Sequence, residues 1–511
     1  MSHCDSGFFV TLCHPIGNSS VPKEFISEGP KQSSYRWEVQ PLEFDLNVIR
    51  RSISNRFQPV ILESTLADPE TSRWSIFAAD PIETLTISEN VVRCQRYRPD
   101  CDTPISENNL AITADHRSRV MECLKSWLIK WNIGGPTRKH EVPGPFTGGV
   151  LGWIGYDFGW YLEHLPRTIP NRENWDDLRL GVYDHFVVHD HKANQSWYVS
   201  ADFDFACDLA RELVGEIWDQ DFRHRSSHSH APVWPGMKVT SILSREEYQQ
   251  KVGQVLEYLK AGDIFQANFT HRFEAHGEGD PLALYEHLKN ISPAPFAAYC
   301  SWDDKAVVCS SPEWFYRLDG DLAVTRPIKG TRPRGTSPEE DRKQSEELLN
   351  SPKDRAELTM IVDLERNDLG RISRFGSVQV TEPMKLESYA QVHHLVAEIQ
   401  GRLRSDCDAV DLMAAMFPGG SITGAPKIRA MQIIEELETH RRGPYTGAIG
   451  YMGFDGRSAW NIPIRTILKS GSCWSYNVGG GIVIDSDPAE EFQETITKGK
   501  GMRQALENSY P

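Results

Sequence analysis

Between about residue 36 and residue 220, short apolar runs alternate with turn signals, and this pattern restricts the fold more than any other feature of the chain. Runs such as Pro59-Val60-Ile61-Leu62 and Phe186-Val187-Val188 have strand length. Two longer stretches carry helical spacing instead. One covers about 115–132, with Val120, Cys123, Leu124, Trp127 and Leu128; the other covers about 205–219, with Leu209, Leu213 and Ile217 four residues apart. The mixture predicts an α+β fold with much sheet, and 511 residues are ample for a sizeable core.

The chain divides into a polar segment 1–35 expected to be poorly ordered, an N-terminal region 36–222, a connection 223–237 and a C-terminal region 238–508. The connection holds His224, His228 and His230 and contains no Cys or acidic residue of its own, so it reads as a hydrophilic link and not as a metal site. Beyond it, Ser244-x-x-Glu247 forms a capping box opening a helix with Tyr248, Val252, Val255, Leu256 and Leu259 on one face. Gly262 ends that helix, and the segment from Ile264 to Phe269 reads as a strand.

The formal net charge of −16 argues against nucleic acid and anionic membranes as partners. No stretch approaches the roughly 18 apolar residues of a membrane span, and the N-terminus lacks a basic segment followed by an apolar run. The 10 cysteines form no C-x-x-C pair, which suits reduced packing thiols and a cytoplasmic location. An anionic substrate of so acidic a chain needs local cations or a metal.

Four segments could carry chemistry. Near the C-terminus Asp487-Pro488 is an N-cap followed by proline, with Glu490 placed for a capping box. Glu491, Glu494 and Lys498 then share one helix face, just after Gly479-Gly480-Gly481, a run that lets backbone approach a ligand. The bland alternative is a solvated charged face. A second helix, about 352–366, is capped by Ser351 and carries Asp354 and Glu357 beside Met360, Ile361 and Leu364. Its acids are either magnesium ligands or boundary carboxylates paired with Arg355 or Arg366. Lys329, in Pro327-Ile328-Lys329-Gly330-Thr331, would become a nucleophile if burial lowered its pKa, and Glu313 ends an apolar run. The loop 418–427 lacks the Gly-Lys of a phosphate loop, yet a helix start there suits a carboxylate. The glycines of 149–155 make no dinucleotide fingerprint, and Cys473 stands in a strand-like packing context without the elbow of a glutaminase nucleophile.

Together these segments resemble the chorismate-utilising enzymes: anthranilate synthase component I, aminodeoxychorismate synthase component I, isochorismate synthase and salicylate synthase. The resemblance is strong over about 240–505 and weaker through Ile61-Leu62-Glu63-Ser64, Arg73-Trp74-Ser75-Ile76-Phe77 and 148–157. It implies an anthranilate synthase component I-like α+β fold, with two large antiparallel sheets around a core and helices outside. The linker then separates stretches of sequence and not independently folded domains.

The resemblance also implies roles. Mg²⁺ would lie between Glu357 and Glu494 with Asp354 and Glu491 close by; Asp354 departs from the Glu often found there. Chorismate would meet Tyr445, Arg465, the Gly479, Gly480 and Gly481 backbone, Lys498 and Thr423. His394 would sit beside the ring, Thr331 beside Lys329 in the catalytic segment, and Glu313 would protonate the departing C4 hydroxyl. Gln266 stands where isochorismate and salicylate synthases have a water-activating lysine, which argues for ammonia as the nucleophile. Lys329 stands where anthranilate synthases usually have Ala, which is similar to the aminodeoxychorismate branch that feeds p-aminobenzoate and folate synthesis. In the implied mechanism Lys329 adds at C2, ammonia adds at C4 and expels it, and pyruvate is retained. The nearest alternative is anthranilate synthase of tryptophan biosynthesis; a catalytically idle scaffold would have lost these carboxylates. Ammonia would come from a separate glutamine amidotransferase subunit or free ammonium. Glu63 and Ser64 either line a tryptophan pocket or belong to a plain edge strand.

Overall fold

Strands from both ends of the sequence pair side by side, so neither half can form its sheet alone. The computed structural model of the protein describes residues 37–66, 72–98, 101–112, 118–131, 133, 142–201, 234–388 and 392–509. The segment 1–35, the expected helix at 205–219 and His224, His228 and His230 lie outside the described residues.

Two 12-stranded antiparallel sheets organise the chain. The first runs through Trp37–Leu42, Gln195–Ala201, His185–Asp190, Trp74–Ala78, Val60–Glu63, Phe296–Trp302, Lys305–Ser311, Thr466–Ser470, Cys473–Ile482, Gln266–His276 and Thr240–Ser241. The short strand Gly424–Ala425 also pairs with Gln266–His276. The second runs through Ile328–Pro333, Val392–Arg402, Leu322–Arg326, Trp314–Asp319, Ser458–Asn461, Ala448–Gly453, Gly149–Ile154, Leu178–Tyr183, Glu83–Ser88, Val91–Arg98 and Cys101–Ala111, with Gln379–Ser388 on the far side of Val392–Arg402.

Two seams join early and late sequence. Ile61 faces Tyr299 in the first sheet, and Gly152 faces Gly450 in the second. The glycine stretch at 149–155 is explained here. A Cβ at Gly152 would lie 2.2 Å from the Arg179 carbonyl oxygen, and its φ of +151° disfavours any side chain, so the close approach needs glycine. The sheets pack face to face through a core in which Trp153 of the second stacks on Trp302 of the first at 4.1 Å, with Leu151, Tyr451, Ala298 and Val307 around them.

The helices lie outside the sheets. Ser118–Lys130 occupies the predicted 115–132 pattern and buries Val120, Leu124 and Trp127. Arg245–Ala261 starts at the predicted capping box and ends at Gly262. Pro352–Gly370 packs on Val392–Arg402, and Pro488–Glu507 packs on Cys473–Ile482. Asp487 caps the latter by accepting from Ala489 and Glu490, but the return bond of a capping box is not formed. The strand expected at 264–269 begins at Gln266, the first residue paired with Gly424–Ala425, and continues to His276 because Cys473–Ile482 supplies a partner along that length. Among the described residues no helix is long and apolar enough to cross a membrane.

Candidate active site

The site forms where the two sheets, the loop 418–427 and two helix starts converge. Lys329 sits on Ile328–Pro333, whose pairing with Val392–Arg402 slips between Lys329 and Thr331. Past the slip Thr331 faces His394, and its hydroxyl is 2.9 Å from His394 Nδ1. Burial pulls the His394 imidazole down to about 3, and Arg465 adds to the effect, so the ring is neutral.

Ser421 joins the two residues expected to do the chemistry. Its hydroxyl donates to Glu313 Oε1 at 2.7 Å, while its carbonyl accepts from Lys329 Nζ at 3.2 Å. Ser421 belongs to the 3₁₀ turn Gly420–Ile422. Glu313 follows the strand Lys305–Ser311 and is held by its backbone: its N–H donates to Ser311 Oγ and its carbonyl accepts from Ile462 N–H. Burial raises the Glu313 carboxyl above the usual range, against the opposing pull of Ser421 and Lys329. Burial likewise lowers the Lys329 amine, although Glu357 and Glu313 pull the other way. An acid with a raised pKa thus stands beside an amine with a lowered one.

Cations able to meet an anionic ligand lie within electrostatic reach of Glu313. Among the described residues the Arg465 guanidinium has neither a hydrogen bond nor an ion pair; burial lowers its pKa, with Glu313 the opposing influence. An unpaired guanidinium partly withdrawn from water is costly unless an anion meets it. Tyr445 is buried, which raises its hydroxyl pKa while Arg442 and the Gly479 backbone oppose the shift. Lys498 Nζ donates to the Gly479 carbonyl at 3.2 Å and to Glu494 Oε1 at 2.6 Å. Gly479, Gly480 and Gly481 lie inside the strand Cys473–Ile482 and not in a loop before the helix. Both polar groups of Thr423 are engaged within the protein: its hydroxyl donates to the Gly419 carbonyl, and its own carbonyl accepts from Asn268 N–H.

The four acids divide unequally. A Cβ at Gly480 would lie 2.8 Å from Glu491 Oε2 and 3.8 Å from Glu494 Oε1, so both carboxylates converge on a cradle that only glycine leaves open. Burial raises the Glu357 carboxyl, and the neighbouring charges of Asp354 and Glu494 raise it further against two lysines. Burial also raises Glu491, which accepts from Ser486 Oγ at 2.7 Å. Burial by itself would raise Glu494, but it is lowered overall, because Lys498, Lys353 and Lys329 together outweigh that penalty. Like charges gathered at an open cradle fit a hard cation with oxygen ligands. Asp354 is instead paired with Arg332 at 3.0 Å, a partner other than the expected Arg355 or Arg366. Among the described residues, the one trio of potential metal ligands with donor atoms within 4.8 Å is Glu274, His276 and Cys473, at the far end of the strand pair. There Arg272 already donates to Glu274 at 2.8 Å.

Gln266 is fully buried, and among the described residues neither atom of its amide has a hydrogen-bond partner. It points at Gly481, where a Cβ would lie 3.0 Å from the amide. Sequence reasoning missed Ser421, although it was visible as the one small hydroxyl between the glycines and Ile422. It also missed Arg442, which pairs locally with Glu438 but owes its place beside the site to the Ile422 and Asn268 carbonyls, 20 and 174 residues away.

Glu63 and Ser64 lie elsewhere, in the wall of a cavity of about 1090 Å³ that Arg50, Arg73, His191 and Lys289 also line. The strand Val60–Glu63 is interior, between Trp74–Ala78 and Phe296–Trp302, which corrects the edge-strand reading. Glu63 is already bound by Arg50 at 2.5 Å and Tyr285 at 2.9 Å. Its pKa is lowered despite burial, because Arg50 and Lys289 outweigh that penalty.

The chorismate binding enzyme family matches residues 91–504, and the chain belongs to that family. Among its relatives, aminodeoxychorismate synthase component 1 of Bacillus subtilis is 39% identical over 467 residues, covering 91% of this chain and 95% of its own length. An anthranilate synthase component I-like protein of Synechocystis is 42% identical over 372 residues, 71% of this chain and 73% of its own. The crystal structure of anthranilate synthase component I from Streptococcus pneumoniae superposes with a TM-score of 0.70 at 30% identity, covering 84% of this chain and 92% of that one. The anthranilate synthase component I-like fold is thereby established.

Proposed function

We propose that this chain is the chorismate-aminating component of an aminodeoxychorismate synthase, converting chorismate and ammonia to 4-amino-4-deoxychorismate. The observation that carries the reading is the pairing of Lys329 with Glu313 across Ser421, an amine made less basic and a carboxyl made less acidic by burial. The neutral Lys329 amine forms a bond to C2 of the ring as the C4 hydroxyl takes the Glu313 proton and departs as water. Ammonia then bonds to C4, the C2–N bond breaks with its electron pair returning to Lys329, and the spare ammonia proton returns to Glu313. The enolpyruvyl group is untouched. Gln266 supports ammonia over water: its free amide oxygen can accept from an N–H but cannot remove a proton from water.

Glu357 and Glu494, with Glu491 beside them, would hold Mg²⁺. When bound, the ion supplies neutralising charge for the ring carboxylate. Arg465 and Lys498 provide the remaining positive charge. The relatives named component 1 imply a second component, which would be the glutamine amidotransferase that delivers ammonia. The cavity behind Glu63 and Ser64 is of ligand size and is the place where tryptophan would bind.

The second reading is anthranilate synthesis, because relatives of that name are as similar as those of the other. Incubating the protein with chorismate, Mg²⁺ and ammonium and assaying pyruvate separates the two. Aminodeoxychorismate formation releases none; stoichiometric pyruvate refutes the proposal. Lys329→Ala should abolish turnover, and unchanged turnover would remove lysine as the nucleophile.

A further inference from the structure

A buried acid below the site has no part in the chemistry described so far. Glu365 lies two turns after Glu357 on the helix Pro352–Gly370, and only 4% of its surface is exposed. Its Oε2 is 2.8 Å from the Thr325 hydroxyl oxygen, and the same hydroxyl is 2.6 Å from the Phe315 carbonyl. That carbonyl belongs to a bulge: the strand Trp314–Asp319 slips register against Leu322–Arg326 between Trp314 and Arg317. The bulge begins one residue after Glu313.

A hydroxyl has one proton, and a carbonyl can only accept. If Thr325 gives its proton to Phe315, the contact with Glu365 must be donated by Glu365. If Thr325 gives it to Glu365 instead, the Phe315 carbonyl faces a hydroxyl lone pair, and a carboxylate anion is buried with no ion-pair partner among the described residues. The charged groups facing it make that second arrangement worse. Glu313 and Asp368 are acids, and Lys427 is committed to Asp368 at 2.6 Å and to the Met416 carbonyl at 2.8 Å.

We infer that Glu365 is a neutral carboxylic acid that donates to Thr325 and so closes the bulge that follows Glu313, making it a positioning residue for that acid. Burial, which pushes the Glu365 carboxyl up to about 8 with further help from Glu313 and Asp368, agrees with this proton placement. The positioning role rests on the reading of Glu313 as the general acid; the protonation does not.

Infrared spectra at neutral pH test the protonation. Wild-type protein should show a carbonyl band of a protonated carboxylic acid that is missing from Glu365→Gln; identical spectra overturn the inference. Turnover with chorismate and ammonium tests the role. Glu365→Gln keeps an N–H for Thr325 and should retain kcat within about twofold. Glu365→Ala should lose about tenfold to a hundredfold in kcat, with KM nearly unchanged, because a displaced acid costs rate more than binding. Equal losses in Gln and Ala variants, or none in Ala, would refute the positioning role. Failure of the wild type to aminate chorismate would refute the proposed function alone, since the infrared band still decides the proton on Glu365.

Discussion

Replacing Arg442 by methionine should damage the protein more than any other single change near the site. Its side chain is 1% exposed, and its guanidinium donates to Glu438 at 2.7 and 3.0 Å, to the Asn268 carbonyl at 2.6 Å and to the Ile422 carbonyl at 2.9 Å. It also lies 4.5 Å over the Tyr156 ring. Methionine fills much of the volume but, among the described residues, leaves the Glu438 carboxylate buried with only Thr270 as a donor, through its N–H and its hydroxyl. Breaking a buried pair from one side costs about 3–5 kcal/mol. The Asn268 carbonyl also loses its Arg442 donor, whereas the Ile422 carbonyl keeps the Asn268 side-chain amide at 3.1 Å, so the loss should fall within that range. The Ile422 carbonyl is one residue from Ser421, so turnover should fall as well. Urea unfolding followed by tryptophan fluorescence gives the stability loss. The double variant Arg442→Met, Glu438→Gln removes the stranded charge and should recover about 0.5–3 kcal/mol. A single-variant loss below about 1 kcal/mol, or a double variant less stable than the single, would show that the network does not bear on the fold as argued.

Two further expectations concern the site. Turnover requires neutral Lys329 and protonated Glu313, so kcat should rise as Lys329 loses its proton and fall as Glu313 loses its own; burial moves the two pKa values toward each other. Glu313→Gln should lower kcat by about 10²–10⁴-fold and remove the alkaline fall; a pH profile that keeps that fall assigns it to another group. Gly480→Ala places a Cβ 2.8 Å from Glu491 Oε2, so the Mg²⁺ concentration for half-maximal activity should rise at least several-fold; an unchanged requirement, measured by titration after chelator treatment, moves the metal elsewhere.

Much of the local structure was legible because its causes are local. The capping box at Ser244 and Glu247, the N-caps Ser351 and Asp487 and the apolar stripe of 118–130 each act within a few residues. Asp354 shows the limit of such reasoning. Its helical neighbourhood suggested Arg355 or Arg366, but its partner Arg332 comes from an adjoining strand. The strand Val60–Glu63 shows the same limit: a short apolar run cannot reveal whether it lies at an edge or, as here, between two partners, one more than 200 residues away in sequence.

The amino-acid sequence by itself determined which groups were present for chemistry: an acid at 313, an amine at 329, a glutamine at 266, carboxylates on two helices and glycines where backbone must be approached. Residue type sets what a group can donate, accept or attack, and that needs no fold. The tertiary structure decided what each group is. Burial, which depends on both sheets closing over the site, moves Glu313 and Lys329 toward each other in pKa. A turn of the loop 418–427 puts Ser421 between them, and the bulge beside Glu313 carries a bond that leaves a proton on Glu365. Those properties arise from contacts across 40 to 108 residues of sequence or from the loss of solvent, and neither is a property of any short stretch of chain alone.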